Sequence, residues 1–541
     1  MIDQVWANAA IEACLRNGID HFFLAPGSRC TPLTLAVARQ TAATVIQHFD
    51  ERGLAFAALG YGRATDRPGV FICTSGTAVA NALPAVIESS IEKVPLLLFT
   101  ADRPDELHGT GANQTIDQQN IFGDYPELFL DMPVPAEDHS PGEDLERGIA
   151  AAACGPVHFN WKFREPFTIT DVRSTGFSRK EQIPAKAGTT NNPLIELRGN
   201  VLIALGNCKP FEAQQAWELS ERLNCPMLAD VTSGLRTGSF ELPTEFALPC
   251  PDTILHIGDR IVSKTWHQWT ASLPAAEVEF IHVTSTGQTV NPNRLDVTQH
   301  ETDLIELTEK VTVPKTSEAF RKAWNDAAAA RNEVIQRHLA DATTFSEPAI
   351  ALSISKQCPA SHGLFIGNST PIRDMDWFGQ GLADKVRNVA ANRGASGIDG
   401  LLATATGYAQ GLQKPTTVVL GDLSALHDLN SLALIAKSKQ PMIVVILNNQ
   451  AGHIFELLPI SQSGHFEQFF ATPHEYDFKH AAKMFGIDYR RITEMDDFSN
   501  RYRDALSQES TIVLELMTDR RTNLKVRQQI RDGIKKCSAQ N

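Results

Sequence analysis

The chain has 541 residues, a length that implies roughly three or four domains and room for sizeable hydrophobic cores. It carries 63 acidic against 49 basic side chains, a net charge of −14, which argues against nucleic acid or an anionic membrane as a bulk partner. Hydrophobic content of 43% and charged content of 21% are ordinary globular values, so neither a disordered nor a membrane-embedded chain is expected.

In chain order, residues 3–17 read as a helix, with Val5, Ala9, Ile11 and Leu15 apolar. Strands are expected at 21–25, 44–49, 69–74, 95–100 and 157–161, with helical stretches between them. That is a βαβ pattern and a parallel sheet. A polar stretch at 174–193 reads as a linker. A second α/β unit opens at 201–206 and continues through 226–231, 253–258 and 279–283, and a long helical stretch at 316–340 leads out of it. The third unit opens near 347, with strands at 363–367, 386–390, 416–420, 442–447 and 511–516. The expected class is α/β, with three doubly wound parallel-sheet units spanning 1–180, 195–335 and 345–541. The nine cysteines are dispersed without C-x-x-C or metal-type spacing, as in a reduced cytoplasmic protein. The N-terminus lacks the basic and apolar regions of a signal peptide. No apolar run approaches the ~20 residues of a membrane span.

The most informative feature is Gly421–Asp422 followed, after 25 intervening residues, by Asn448–Asn449. Each pair ends an expected strand, so both reach the carboxyl rim of one parallel sheet, where open α/β sheets bind ligands. A carboxylate and an amide oxygen make a poor cation cage alone, but suit Mg²⁺ once phosphate oxygens complete the octahedron. The glycine admits a diphosphate close to the backbone, and amides of the loop and next helix can cradle it. This spacing is the thiamine diphosphate (ThDP) fingerprint. Either dipeptide alone would carry no information; two strand ends at this separation do. ThDP also needs a carboxylate to hydrogen-bond its aminopyrimidine and promote loss of the thiazolium proton. Glu51, in H-F-D-E-R-G directly after the strand at 44–49, is the candidate. The bland alternative for Glu51 is a solvated residue at a helix N-terminus.

More motifs follow in one order over nearly the whole chain: A-P-G-S-R-C-T-P-L (25–33), H-F-D-E-R-G (48–53), T-S-G-T-A-V-A-N (74–81), T-A-D-R-P (100–104) and G-A-N-Q-T-I-D-Q (111–118). They continue with G-N-S (367–369), N-R-G-A-S-G-I-D-G (392–400), G-D-L-S-A-L-H-D-L-N (421–430) and N-N-Q-A-G-H-I-F-E-L-L-P (448–459). With these the chain resembles the ThDP-dependent 2-succinyl-5-enolpyruvyl-6-hydroxy-3-cyclohexene-1-carboxylate (SEPHCHC) synthases. The resemblance implies pyrimidine-binding, middle and diphosphate-binding domains in that order. It implies decarboxylation of 2-oxoglutarate and 1,4-addition of the resulting succinyl carbanion to isochorismate, giving SEPHCHC and CO₂ in menaquinone or phylloquinone biosynthesis. It further implies Mg²⁺ or Mn²⁺, and a homodimer or tetramer whose active sites are shared between subunits.

Carried over residue by residue, the resemblance makes Glu51, Gln114, Ser369 and Arg393 catalytic. Asp422, Asn449 and the Ala451 carbonyl would ligate the metal. Ser396, Ile398, Gly421, Leu423, Ser424 and Ile454 would join Glu51 and the metal ligands around ThDP, with Ile398 bending it into a V shape. Both substrates are dicarboxylates, which calls for several cationic side chains. Arg29, Arg103, Lys264, Arg373 and Arg393 would bind those carboxylates, and Ser28, Gln114 and Ser369 would orient substrate. Phe455 and Leu458 would form an apolar wall beside Ile454, although their spacing also suits the core face of a helix. Any single arginine could equally sit in a surface ion pair. Cys30, Thr265 after Lys264, and Gln450–Ala451 depart from the commoner family pattern. The rival enzyme reading, a ThDP carboligase or decarboxylase acting on pyruvate or a related 2-oxo acid, would not need so many cations at the rim. A catalytically silent ThDP-like scaffold would not need Glu51, Asp422 and Asn449 intact.

Overall fold

The computed structural model describes residues 2–165, 167, 195–235, 237–291, 296–302, 304, 306–307, 311, 316–339, 344–380 and 386–540. The stretch read as a linker lies outside them. Three sheets organise the chain, and every strand pairing within them is parallel. The first contains β1 (His21–Leu24), β2 (Thr44–Gln47), β3 (Gly69–Cys73), β4 (Leu96–Asp102), β5 (Leu128–Met132) and β6 (Pro156–Lys162), in the order β2-β1-β3-β4-β6-β5. The second contains β7 (Val201–Leu205), β8 (Met227–Ala229), β9 (Thr253–Ile257), β10 (Glu279–Thr284) and β11 (Val297–Glu301), in the order β11-β10-β9-β7-β8. The third contains β12 (Gly363–Ile366), β13 (Asn388–Ala390), β14 (Thr416–Gly421), β15 (Met442–Asn448), β16 (Asp488–Ile492) and β17 (Ile512–Met517), in the order β13-β12-β14-β15-β17-β16. The first and third sheets therefore share one topology.

The central strands are apolar throughout because both faces of each sheet are covered. Successive residues alternate between the two cores: Phe22 and Leu24 pack in one cluster and Phe23 in the other. In the third sheet Val419 faces one cluster while Val418 and Leu420 face the other. Strands β5, β11 and β16 were not expected from the sequence. Each lies at a sheet edge and is only partly buried, so its residues lack the apolar run of a central strand. Among the described residues no helix is long and apolar enough to cross a membrane.

The helix Glu51–Thr65 carries Glu51 at its start and is buried continuously from Gly53 to Gly62. Asp50 caps it by accepting hydrogen bonds from the amides of Arg52 and Gly53. Its small residues let it press against the helix Leu401–Leu412 of the third unit. A Cβ on Gly60 would lie 2.0 Å from the Thr404 carbonyl oxygen, and one on Gly407 would lie 1.9 Å from the Ala57 carbonyl oxygen. Backbone thus meets backbone where the first and third units join. Gly407→Ala is expected to lower stability by about 2–3 kcal/mol through overpacking, read from the denaturant midpoint. Gly464→Ala, whose Cβ would meet nothing within 4 Å, should change it by less than about 0.5 kcal/mol.

Candidate active site

The carboxyl ends of the first sheet gather one group of side chains. Ser28 and Arg29 follow β1, Glu51 follows β2, Thr74–Gly76 follow β3 and Arg103 follows β4. Gly27 is pressed against Thr74, where a Cβ would lie 2.3 Å from the Thr74 Cβ, so glycine keeps the loops after β1 and β3 in contact. The Glu51 carboxylate is partly buried and makes no hydrogen bond or ion pair with any described residue. Arg29 is buried; it donates to the Phe163 carbonyl at 2.9 Å and to Glu165 at 2.9 Å, and stacks on Phe167. Arg103 is buried without an ion-pair partner among the described residues, and its Nη1 has no hydrogen bond. Burial, reinforced by the nearby Arg29 charge, lowers the Arg103 pKa.

Gln114 adopts a left-handed backbone (φ 55°) and is exposed; its Nε2 donates to the Ser75 carbonyl at 2.8 Å. The sequence reading missed Gln118. It is fully buried, accepts from the Gly76 amide at 2.9 Å and donates to the Ala101 carbonyl and to Asn160. It ties the loop after β3 to β4. The G-A-N-Q-T-I-D-Q motif contains this residue, but only the fold separates its role from that of Gln114.

The third sheet gathers a second group at the corresponding rim. Ser369 caps the helix Thr370–Phe378 at φ 68°, and its carbonyl accepts from Arg373 Nη1 at 2.6 Å. Arg393, after β13, donates to Asn368 Oδ1 at 2.8 Å. Neither arginine has a carboxylate partner among the described residues. Burial lowers both pKa values, and Arg393 adds like-charge repulsion to Arg373. The loop after Arg393 is pinned from another unit, because Glu88 accepts from the amides of Gly394 and Ala395 at 2.9 and 2.7 Å. Ser396 sits there at φ 57°, with Ile398 partly buried two residues on.

Gly421 and Asp422 end β14. A Cβ on Gly421 would meet nothing within 4 Å, so packing does not demand glycine there and open space adjoins the strand end. Asp422 opens the helix Asp422–His427, which also carries Leu423 and Ser424. Its Oδ1 accepts from the Leu423 amide at 2.7 Å, while Oδ2 is buried without a hydrogen bond. His474 Nε2 lies 3.2 Å from that oxygen without hydrogen-bond alignment, and its Nδ1 accepts from the Tyr476 amide, which leaves the ring hydrogen on Nε2. Asn449 Oδ1 accepts from the Ala451 amide at 3.2 Å. Among the described residues no group of three His, Cys, Asp or Glu side chains could hold a metal. The oxygen set of Asp422, Asn449 and the Ala451 carbonyl, beside open space at Gly421, fits a hard cation shared with a diphosphate.

Several expectations change in detail. Asn448 points into the core rather than to the rim: its Nδ2 donates to buried Glu515 at 2.6 Å and to the Tyr476 carbonyl. Of the asparagine pair, only Asn449 is available. The strained position of the loop is Gln450 (φ 63°), so Ala451 escapes the left-handed region. Ile454, Phe455 and Leu458 lie on or just after a short 3-10 turn, His453–Leu457, instead of a core helix, and Phe455 and Leu458 are exposed. Lys264 is exposed on the first turn of its helix, without an ion pair among the described residues. The middle-unit cation that meets the Arg393 loop is Arg260, which donates to the carbonyls of Arg393 and Gly394 at 3.4 and 3.3 Å.

Within one chain the two rims make no direct side-chain contact among the described residues. No hydrogen bond or ion pair among the described residues joins Arg29, Glu51, Arg103 or Gln114 to Ser369, Arg373, Arg393, Asp422 or Asn449. Arg52 instead donates to the carbonyl of His427, the last residue of the helix that begins at Asp422.

Comparison with known proteins agrees with this geometry. The N-terminal TPP-binding domain of thiamine pyrophosphate enzymes matches residues 5–121, and their C-terminal TPP-binding domain matches residues 380–516. A SEPHCHC synthase of Salinibacter ruber is 35% identical over 98% of this chain and 97% of its own length. Those of Rubrobacter xylanophilus and Pelodictyon phaeoclathratiforme are each 36% identical, over 98% and 97% of this chain and 98% and 94% of their own lengths. The chain belongs to the SEPHCHC synthase family. It is thus an enzyme of the thiamine diphosphate-dependent fold, and ThDP is its cofactor. The two family matches fall on the first and third sheets, taking in β1–β4 of one and β13–β16 with most of β17 of the other, the two sheets that share a topology.

The cations at these rims differ in kind from structural ones. Arg103→Met removes a buried charge held in no ion pair among the described residues, so denaturant stability should hold or rise, with any loss below about 1 kcal/mol. Arg527→Met would leave the carboxylates of Glu347 and Asp374 buried without their cation, and should cost about 3–5 kcal/mol.

Proposed function

We propose that the chain decarboxylates 2-oxoglutarate and adds the resulting succinyl carbanion in 1,4 fashion to isochorismate, releasing SEPHCHC and CO₂ in menaquinone or phylloquinone biosynthesis. The observation that carries this reading is the set of four arginines at the two rims. Three of them, Arg103, Arg373 and Arg393, lack a carboxylate partner among the described residues, in a chain of net charge −14. Guanidinium groups partly or fully withdrawn from solvent and held in no ion pair suit anionic substrates, and guanidinium forks match carboxylates in pairs. A pyruvate enzyme has one carboxylate to bind and no use for two such pairs.

ThDP, when bound, supplies the carbon nucleophile and the electron sink for decarboxylation. Glu51 offers the aminopyrimidine a carboxylate that no described protein group engages. Asp422 Oδ2, Asn449 Oδ1 and the Ala451 carbonyl would hold Mg²⁺ or Mn²⁺, which would supply positive charge for the diphosphate. Gly421, Leu423, Ser424 and Ser396 contribute backbone or hydroxyl contacts, and Ile398 and Ile454 pack on the cofactor. Arg29 and Arg103 on one rim, with Arg373 and Arg393 on the other, clamp substrate carboxylates. Ser28, Gln114 and Ser369 orient the substrates, and exposed Phe455 and Leu458 close the apolar side. Lys264 is a further cation that a substrate carboxylate could draw in.

The domain assignment follows: pyrimidine-binding at 1–180, middle at 195–335 and diphosphate-binding at 345–541. No direct hydrogen bond or ion pair joins the rims among the described residues of one chain, and on this reading a complete site takes the first rim of one subunit and the third rim of another. A homodimer is the smallest such assembly.

Three measurements test this reading. CO₂ release from 2-oxoglutarate should require ThDP and a divalent cation and accelerate with isochorismate; turnover of pyruvate in its place would overturn the substrate assignment. Glu51→Gln should keep ThDP bound but slow C2 proton exchange, followed by NMR, by at least about 100-fold; exchange at the parental rate would remove Glu51 from its role. Arg29→Ala and Arg393→Ala should each lower kcat/KM for a dicarboxylate substrate by about 10²–10³-fold, as expected for a lost charge-assisted bidentate pair. Affinity for ThDP should change little in either variant, and unchanged substrate kinetics in both would exclude the arginine clamp.

A further inference from the structure

Asn449 is tied to a buried chain of charges that none of the sequence motifs contains. Glu347 opens the helix Glu347–Gln357 and is 1% exposed. Its Oε1 accepts from Asn449 Nδ2 at 2.7 Å and from Thr518 Oγ1 at 3.2 Å. Its Oε2 accepts from Arg527 Nη2 at 2.7 Å. Arg527 belongs to the last helix, Arg520–Ser538, and also donates to both oxygens of Asp374. Asp374 is 1% exposed and follows Arg373 in the helix Thr370–Phe378. One guanidinium therefore joins the loop of Asn449 to the helix of Arg373.

The chemistry of this chain dictates which way the Asn449 amide faces. A carboxylate only accepts hydrogen bonds, so Glu347 can meet only the amino side of that amide. The Asn449 oxygen is then turned away, toward its own loop, where the Ala451 amide donates to it at 3.2 Å. Only the oxygen of an amide side chain can ligate a hard cation. Arg527 has donors alone, so it in turn admits only an oxygen at the position of Glu347 Oε2.

We propose that Glu347, held by Arg527, is a positioning residue that presents the Asn449 oxygen to the metal, and that Arg527 registers the metal loop against the helix carrying Arg373. This rests on the reading of Asn449 as a metal ligand. Partners one step removed from a metal ligand are worth about 10–100-fold in metal affinity. They set which atom of the ligand faces the metal, and here that choice is binary.

The test is Mn²⁺ affinity of the full chain at fixed excess ThDP, read from the electron paramagnetic resonance of free Mn²⁺. In Glu347→Gln, Arg527 takes the glutamine oxygen and the glutamine amino group is left facing Asn449. The asparagine must then turn its oxygen to that group and its amino side to the cation. Mn²⁺ affinity is expected to fall by about 10–100-fold. Adding Asn449→Asp to Glu347→Gln should restore it to within about tenfold of the parent, since the new carboxylate accepts from the glutamine and still offers an oxygen to the metal. Asn449→Asp alone sets two carboxylates face to face and should bind Mn²⁺ less tightly than the double variant. Parental affinity in Glu347→Gln would overturn the proposal, as would a loss that the double variant does not recover. If Glu347→Gln alone does not fold, the double variant against Asn449→Asp decides: tighter binding in the double supports the proposal and equal binding overturns it. Asn449→Ala separates the two readings, because undiminished Mn²⁺ affinity there would remove Asn449 from the metal site itself.

Discussion

The contact on which the architecture depends is the crossing of Glu51–Thr65 and Leu401–Leu412, where Gly60 and Gly407 bring two backbones together. It docks the first sheet on the third within one chain, with no side chain between the helices at those points. It also decides which parts of the third unit the Glu51 helix can reach. Arg52 meets His427, the far end of the six-residue helix begun by Asp422. Such a helix is about 9 Å long, so Arg52 meets the end of it opposite Asp422. The fold places one group of candidate residues at the rim of each of two equivalent sheets, and the proposed site joins the two groups by assembly.

Each rim is electrostatically incomplete in a way that structural networks elsewhere are not. Arg527 answers two buried carboxylates, and Arg63 lies between Glu88 and Glu92. Arg103, Arg373 and Arg393 have no such answer among the described residues, and burial lowers the pKa of each. Placing cations this way costs stability and leaves them ready for anionic ligands. The Glu88 carboxylate holds the Gly394 and Ala395 amides, so the loop bearing Arg393 is fixed without an ion pair to its guanidinium.

Much of this was legible in the sequence, for a physical reason. Parallel strands buried on both faces read as apolar runs, and the residues just after them fall at the sheet rim. Glu51, Arg103, Arg393, Asp422 and Asn449 could therefore be placed together from local pattern. What escaped depends on contacts between distant segments. Glu347 and Arg527 lie 180 residues apart, Gln118 and Gly76 lie 42 apart, and no local spacing links either pair. The strand end reads as delivering the asparagine pair to the rim, with Asn449 as the ligand; a strand's last residues alternate between core and rim, and Asn448 turns to the core. Arg260 rather than Lys264 meets the Arg393 loop because the middle unit presents a strand-end loop there, ahead of the helix that carries the lysine. The edge strands β5, β11 and β16 escaped because half-exposed edges carry too few apolar residues to announce themselves.

A site shared between chains is tested most directly by subunit complementation. Glu51→Gln damages only the first rim and Asp422→Ala only the third, so each variant alone should be inactive. Co-expressed, they form mixed dimers in which one site carries both lesions and the other carries neither. Activity should then return to about a quarter of the parent, since about half the dimers are mixed and half of their sites are intact. If the mixed preparation stays as inactive as either variant, both rims act within one chain, and the division of the site between subunits is contradicted.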